Sequence, residues 1–172
     1  MSNHEAVKVE SDEWRWNYMS TAMDNYHQMF KQEFNLLYEL ADGSFNKRGM
    51  SLSTYLDLAK RMNHHLTVHH TIEERYIFPI LGKRMKEFSK DAEGGHDHLA
   101  SHKAIHDGIE NLDSLISKYK SDPTTYSPSE MRACLDSWRE SLFNHLDEEV
   151  ADLRGENLKK YFTLEEVENI PM

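Results

Sequence analysis

Four segments of this chain repeat apolar residues at alternating steps of four and three, and in each the stripe is broken at an inner position by histidine or glutamate. A helix turns such a stripe toward a core, so each interrupting residue is directed into the interior. The first segment, from about Glu13 to Ala41, carries Trp16, Ser20, Met23, His27, Phe30, Phe34 and Leu37 on one face, and Asp42-Gly43-Ser44 ends it with a glycine suited to a helix C-cap. The second begins near Ser51 or Ser53 and sets Tyr55, Ala59, Met62, Leu66, His69, Glu73, Tyr76 and Ile80 inward. Pro79 removes a backbone donor near its end and predicts a kink or a stop.

Gly94-Gly95 breaks the chain before the third stripe, which holds Leu99, His102, Ile105, His106, Ile109, Leu112 and Ile116. Ser127-Pro128-Ser129-Glu130 reads as a capping box with proline at the first helical position, and the stripe behind it is Met131, Leu135, Trp138, Leu142, His145, Glu149 and Leu153. Gly155 can close that helix, and Thr163 with Glu166 caps a last short one across the end of the bundle. The expected fold is all-α: an antiparallel up-down four-helix bundle over 13–155, with an N-terminal arm at 1–12 and a C-terminal extension with a short helix at 156–172.

Composition narrows the partners. A formal charge of −10 opposes nonspecific attraction to nucleic acid or anionic membranes, and neither is expected. One cysteine, Cys134, allows no internal disulfide. The start of the chain lacks an apolar signal region and no apolar run approaches the ~20 residues of a membrane span, so the expected location is the cytoplasm.

The interruptions carry the chemistry. His27 stands alone on the first stripe, while His69 and Glu73, His102 and His106, and His145 and Glu149 are i, i+4 pairs that each share a helix face. Burying two carboxylates and five imidazoles without partners costs several kcal/mol per charged group, so a positive charge should sit among them. Imidazole with carboxylate suits iron, manganese, zinc or copper, and the lack of thiolates argues against a structural zinc knuckle or an iron–sulfur cluster. His65 and His98 lie one turn before His69 and His102 and are candidates for outer hydrogen-bond partners or an alternative ligand register. His64, His70 and His96 read as surface or rim residues. Met23, Phe30, Leu66, Ile105, Leu142 and Trp138 could wall a dry pocket while packing the core.

The segments His69-His-Thr-Ile-Glu73-Glu, His102-Lys-Ala-Ile-His106-Asp and His145-Leu-Asp-Glu-Glu149, preceded by His27, resemble the hemerythrin or HHE cation-binding family from Tyr26 to about Leu153. The resemblance implies two non-haem iron ions with an oxo or hydroxo bridge. His27 and His69 would bind one, His102, His106 and His145 the other, with Glu73 and Glu149 bridging. Glu74 and Glu148 adjoin the two bridging positions, but Glu73 and Glu149 alone keep to the stripe. The ligand count then leaves one position open, on the two-histidine iron, where the family takes dioxygen. The implied function is binding of dioxygen or another small diatomic ligand rather than catalysis. An iron- or oxygen-responsive module read by a redox or regulatory protein partner is the alternative, and a di-iron redox enzyme ranks third.

Overall fold

Three of the four long helices begin where a side chain takes up a backbone N–H that the first turn leaves unpaired. The computed structural model describes residues 12–90 and 97–172, so His4, His96, Gly94-Gly95 and, apart from Asp12, the expected N-terminal arm lie outside the described residues. Helix α1 is Tyr18–Leu40, preceded by a helical turn at 12–16. Helix α2 is Leu52–Ile72, with Ser51 Oγ accepting from the Thr54 N–H at 3.1 Å. A π turn, Glu73–Ile77, follows it and leads into α3, Phe78–Leu81. Helix α4 is His98–Ser121, capped by Asp97, whose Oδ1 accepts from the Ala100 N–H at 3.0 Å. Helix α5 is Pro128–Asp152, one-turn α6 is Gly155–Leu158, and α7 is Leu164–Glu168.

The caps refine the sequence reading. Gly43 follows the end of α1 with φ at 93°, a left-handed conformation that glycine adopts freely. Ser127 Oγ accepts from the Glu130 N–H at 3.3 Å, but the Glu130 carboxylate binds Lys118 Nζ and Tyr119 Oη. Both halves of the capping box do form at Thr163 and Glu166. Gly155 starts α6 rather than closing α5, and its N–H donates to Asn17 Oδ1 at 3.0 Å.

In the bundle α1 lies beside α2 and α5, and α4 beside α2 and α5, which gives an up-down square of antiparallel helices. A methyl group on Gly108 would run into the Trp138 side chain, so this glycine lets α4 and α5 approach closely. Among the described residues there is no strand, and no helix is long and apolar enough to cross a membrane.

The core comes in two parts. One apolar cluster includes Phe30, Leu66, Ile105, Leu142 and Leu146, and the other Met19, Met23, Ile77, Leu153 and Val167. On every long helix a buried histidine or glutamate lies in sequence between the residues of the first cluster and those of the second, so a polar layer separates them. Helix α7 belongs to the second cluster through Val167, and Arg84 pins it with two bonds to the Glu166 carboxylate at 2.8 and 2.9 Å.

The second stripe ends differently from its pattern. The Phe78 N–H bonds the Glu73 carbonyl, five residues back, and this wider turn absorbs one extra residue. Tyr76, expected inside, is therefore exposed, and Ile77 is buried in its place. The turn also answers Pro79, whose missing N–H would otherwise be owed to the Arg75 carbonyl in a continuous α-helix.

Candidate metal centre

Two groups of side chains in the polar layer converge closely enough to hold a metal ion each: His27, His69 and Glu73, and His70, Glu73, His102 and His145. Within each group one donor atom per residue lies within 4.8 Å of the others, and Glu73 belongs to both. In the first, His27 Nε2 is 3.1 Å from His69 Nε2, which is 2.8 Å from Glu73 Oε1. In the second, His102 Nε2 is 3.0 Å from His145 Nε2 and 3.4 Å from Glu73 Oε2. Neighbouring ligands on an octahedral metal with bonds of about 2.1 Å stand ~3.0 Å apart, so these separations suit shared coordination. Glu149 lies between the groups, its Oε2 3.6 Å from His27 Nε2 and 3.5 Å from His145 Nε2.

Both oxygens of Glu73 and both of Glu149 are buried without an aligned hydrogen-bond donor, and so is His70 Nε2. Such groups are costly unless something electropositive meets them, and a cation does so directly. The donor set thus fits metal ions on geometry and on unsatisfied polarity together.

The family model of the hemerythrin HHE cation binding domain matches residues 19–154, which includes every residue of both groups. The chain belongs to the hemerythrin HHE cation-binding family. It is 27% identical over 144 residues to the dimeric xanthone biosynthesis cluster protein R11 of Cryptosporiopsis sp. (strain 8999), covering 84% of this chain and 51% of that one. The chain therefore spans about half the length of this curated relative. No solved structure matches it significantly.

Within this HHE domain, further side chains fix the rings. The Nδ1–H of His102 donates to Glu74 Oε1 at 2.8 Å, leaving Nε2 to face the layer. His98 is fully buried, its Nε2–H donating to Asp152 Oδ2 at 3.0 Å, and its Nδ1 is 3.4 Å from His145 Nδ1. With that orientation His145 donates through Nδ1 and keeps Nε2 free as a ligand. His27 is held by its Nδ1–H on the Leu146 carbonyl at 2.8 Å. His70 stacks on His102 with ring centroids 3.8 Å apart.

Burial, then the nearby His69, brings His27 down to about 4. Burial, with His102 the next cause, likewise holds His70 and His145 well below the ordinary imidazole range. The two carboxylates diverge. Burial pushes Glu73 up, but the adjacent His69 and His102 outweigh it and hold the group well below its usual range. Glu149 is driven well above it by burial and by the negative charge of Glu73. Without a cation between them, one carboxylate ionises at the expense of the other.

Of the seven residues expected from sequence, the structure brings together His27, His69, Glu73, His102, His145 and Glu149. His106 is corrected: its side chain is 55% exposed and lies 3.2 Å from Glu110. The buried positions of α4 include His98, His102, Ile105, Ile109, Leu112 and Ile116, a strict alternation of four and three that passes over His106. His70, read as a rim residue, is buried in the second group instead. A bundle helix faces two neighbours and so carries two adjacent stripes. On α2 and the π turn the one that packs toward α4 is Leu56, Ala59, Asn63, Leu66, His70, Glu73 and Ile77, and its spacing was available in the sequence. His65, the other outer candidate, is partly exposed with Nδ1 3.3 Å from Glu33. Of the expected pocket walls, Met23 and Phe30 line a cavity beside His69, whereas Leu66, Ile105, Leu142 and Trp138 sit in the first apolar cluster.

Proposed function

We propose that this HHE domain is a non-haem di-iron protein that takes dioxygen at its two-histidine position. The observation that carries the reading is the division of Glu73, which offers Oε1 to His69 and Oε2 to His102, so that one carboxylate serves two ions. His27 and His69 hold one iron, His70, His102 and His145 the other, and Glu149 completes the pair of bridges. Were both ions octahedral and joined by an oxo or hydroxo bridge, these five imidazoles, the oxygens of Glu73 and Glu149 and the bridge would occupy eleven of twelve positions and leave one on the two-histidine side. Two irons supply a two-electron couple suited to reversible uptake of dioxygen.

The chain's own residues set the conditions. Met23, Phe30 and Ile77 give the approach to His69 an apolar wall. Glu74 and the Asp152–His98 pair hold His102 and His145 with their Nε2 atoms inward. A cytoplasmic location and a redox or regulatory protein partner belong to the same proposal. The size of the cavity at His69 and the relative's place in a xanthone biosynthesis cluster favour a second reading, a di-iron redox enzyme acting on an organic molecule.

Metal analysis of protein purified without added metal should return two irons per chain. Anaerobic reduction followed by exposure to oxygen should then restore the charge-transfer bands of an oxo-bridged diferric centre. Fewer than two irons sinks the di-iron reading; two irons with no spectral response sinks dioxygen as the ligand. Rapid steady consumption of reductant and oxygen in the presence of an organic substrate favours the enzyme.

A further inference from the structure

A cavity of about 370 Å³ opens between α1 and α2, with His69 and Glu73 in its wall. A diatomic molecule needs about the room of one water, ~30 Å³. The cavity is an order of magnitude larger, within the roughly 300–1,000 Å³ of small-molecule sites. Its remaining wall is mainly apolar, built from Met23, Met29, Phe30, Val68, Ile72 and Ile77. Tyr26, Met29, Val68 and Ile72 are also exposed, so apolar surface continues around the mouth.

The lining selects the chemistry of the occupant. Among the described residues no lysine or arginine lines the cavity, where the basic groups are the imidazoles of His64, His65 and His69, and the chain's formal charge of −10 further disfavours an anionic ligand. Three rings meet at its inner wall: Phe30 lies 5.0 Å from His69 at 53°, and Tyr26 lies 5.9 Å from it at 40°. Two methionines, Met23 and Met29, add flexible thioethers that pack well against aromatic edges. The more deeply buried polar groups of the wall are His69 and Glu73, where a single substituent could be met, and the other two imidazoles, His64 and His65, are more exposed.

We propose that this cavity binds a neutral aromatic molecule of two- or three-ring size, with its polar substituent turned toward His69 and Glu73. The shape and lining stand without metal; the proposal rests on the di-iron reading only for the ion that the substituent would approach.

The test uses N-phenyl-1-naphthylamine as a neutral aromatic probe, titrated calorimetrically into the full chain in metal-free and iron-loaded forms. One site per chain is expected, with the His69 imidazole signals of the metal-free protein shifting on binding. A Val68→Trp, Ile72→Trp double variant, altered at exposed wall positions and checked for an unchanged melting temperature, should weaken binding about tenfold or more, which is ~1.4 kcal/mol. Thr71→Arg, at a residue that lines the other cavity and not this one, should leave it unchanged. The proposal is overturned by absence of binding, by equal binding to the double variant, or by equally tight binding of 1-naphthoate. Probe binding by a chain that holds fewer than two irons supports the cavity and removes the di-iron reading. Two irons without probe binding do the reverse.

Discussion

Two cavities of nearly equal volume reach the metal layer from different sides of α2, about 370 Å³ beside His69 and about 360 Å³ beside His70. The first is walled by methionine, aromatic and aliphatic side chains; the second includes Thr67, Thr71, Glu74, Lys103 and His106. The histidines differ as well. On the second side His102 is fixed by Glu74, and His145 by His98 and Asp152, whereas on the first His27 is fixed by a backbone carbonyl. Adjacent residues of one helix thus serve two kinds of site. The second side braces its rings with other side chains, and the first leaves a mainly apolar opening beside His69.

The comparison can be broken most severely at the residue both sides share. On the di-iron reading, Glu73→Ala removes an oxygen from each group and should lower metal content from two ions per chain to below one by metal analysis. The next test separates the adjoining histidines from the exposed one. His70→Ala should lose about one ion of the two while His106→Ala keeps both, and the reverse outcome would restore His106 to the centre. Weaker effects should follow from the ring-orienting groups: Asp152→Asn should reduce affinity at the His145 position by roughly 10–100-fold in a competition titration with a chelator. An unchanged affinity there, with the fold intact, removes the difference in support between the two sides.

A further effect concerns protons. Between its ordinary value near 6.5 and its folded value of about 4, His27 binds a proton more readily in the unfolded chain, so acid in that window favours unfolding. The metal-free protein should therefore lose stability as pH falls from 6.5 toward 4, on the order of 3 kcal/mol from this group, with His70 and His145 adding to the loss and His102 and the raised carboxyl of Glu149 offsetting part of it. His102 acts the other way because, against the effect of burial, Glu73 and Glu74 raise it. Urea midpoints at pH 7 and pH 5 measure the sum; a higher midpoint at pH 5 contradicts the assignment.

The helices and most of the centre were legible because burial imposes a period that a sequence records. His27, His69, Glu73, His102, His145 and Glu149 all lie on stripes that are otherwise apolar, which singles them out. His70 was hidden by adjacency. Only one of two neighbouring histidines fits a single stripe, and a second stripe matters only once α2 is seen to pack against both α1 and α4. His106 misled for the opposite reason: i, i+4 spacing places it near His102 on the helix surface, but 40° of drift carries it off the inner face. The partners of His98 and His102 depend on Asp152 and Glu74 arriving from other elements, which no local spacing encodes.

The π turn at Glu73–Ile77 acts as a frame shift within one helix. Residues before it are read against the first apolar cluster, those after it against the second, in registers offset by one position. Glu73 sits at the boundary, so its place depends on the upper frame alone. The lower end of the bundle, with Ile77, Phe78 and Leu81, can vary in length without carrying Glu73 with it.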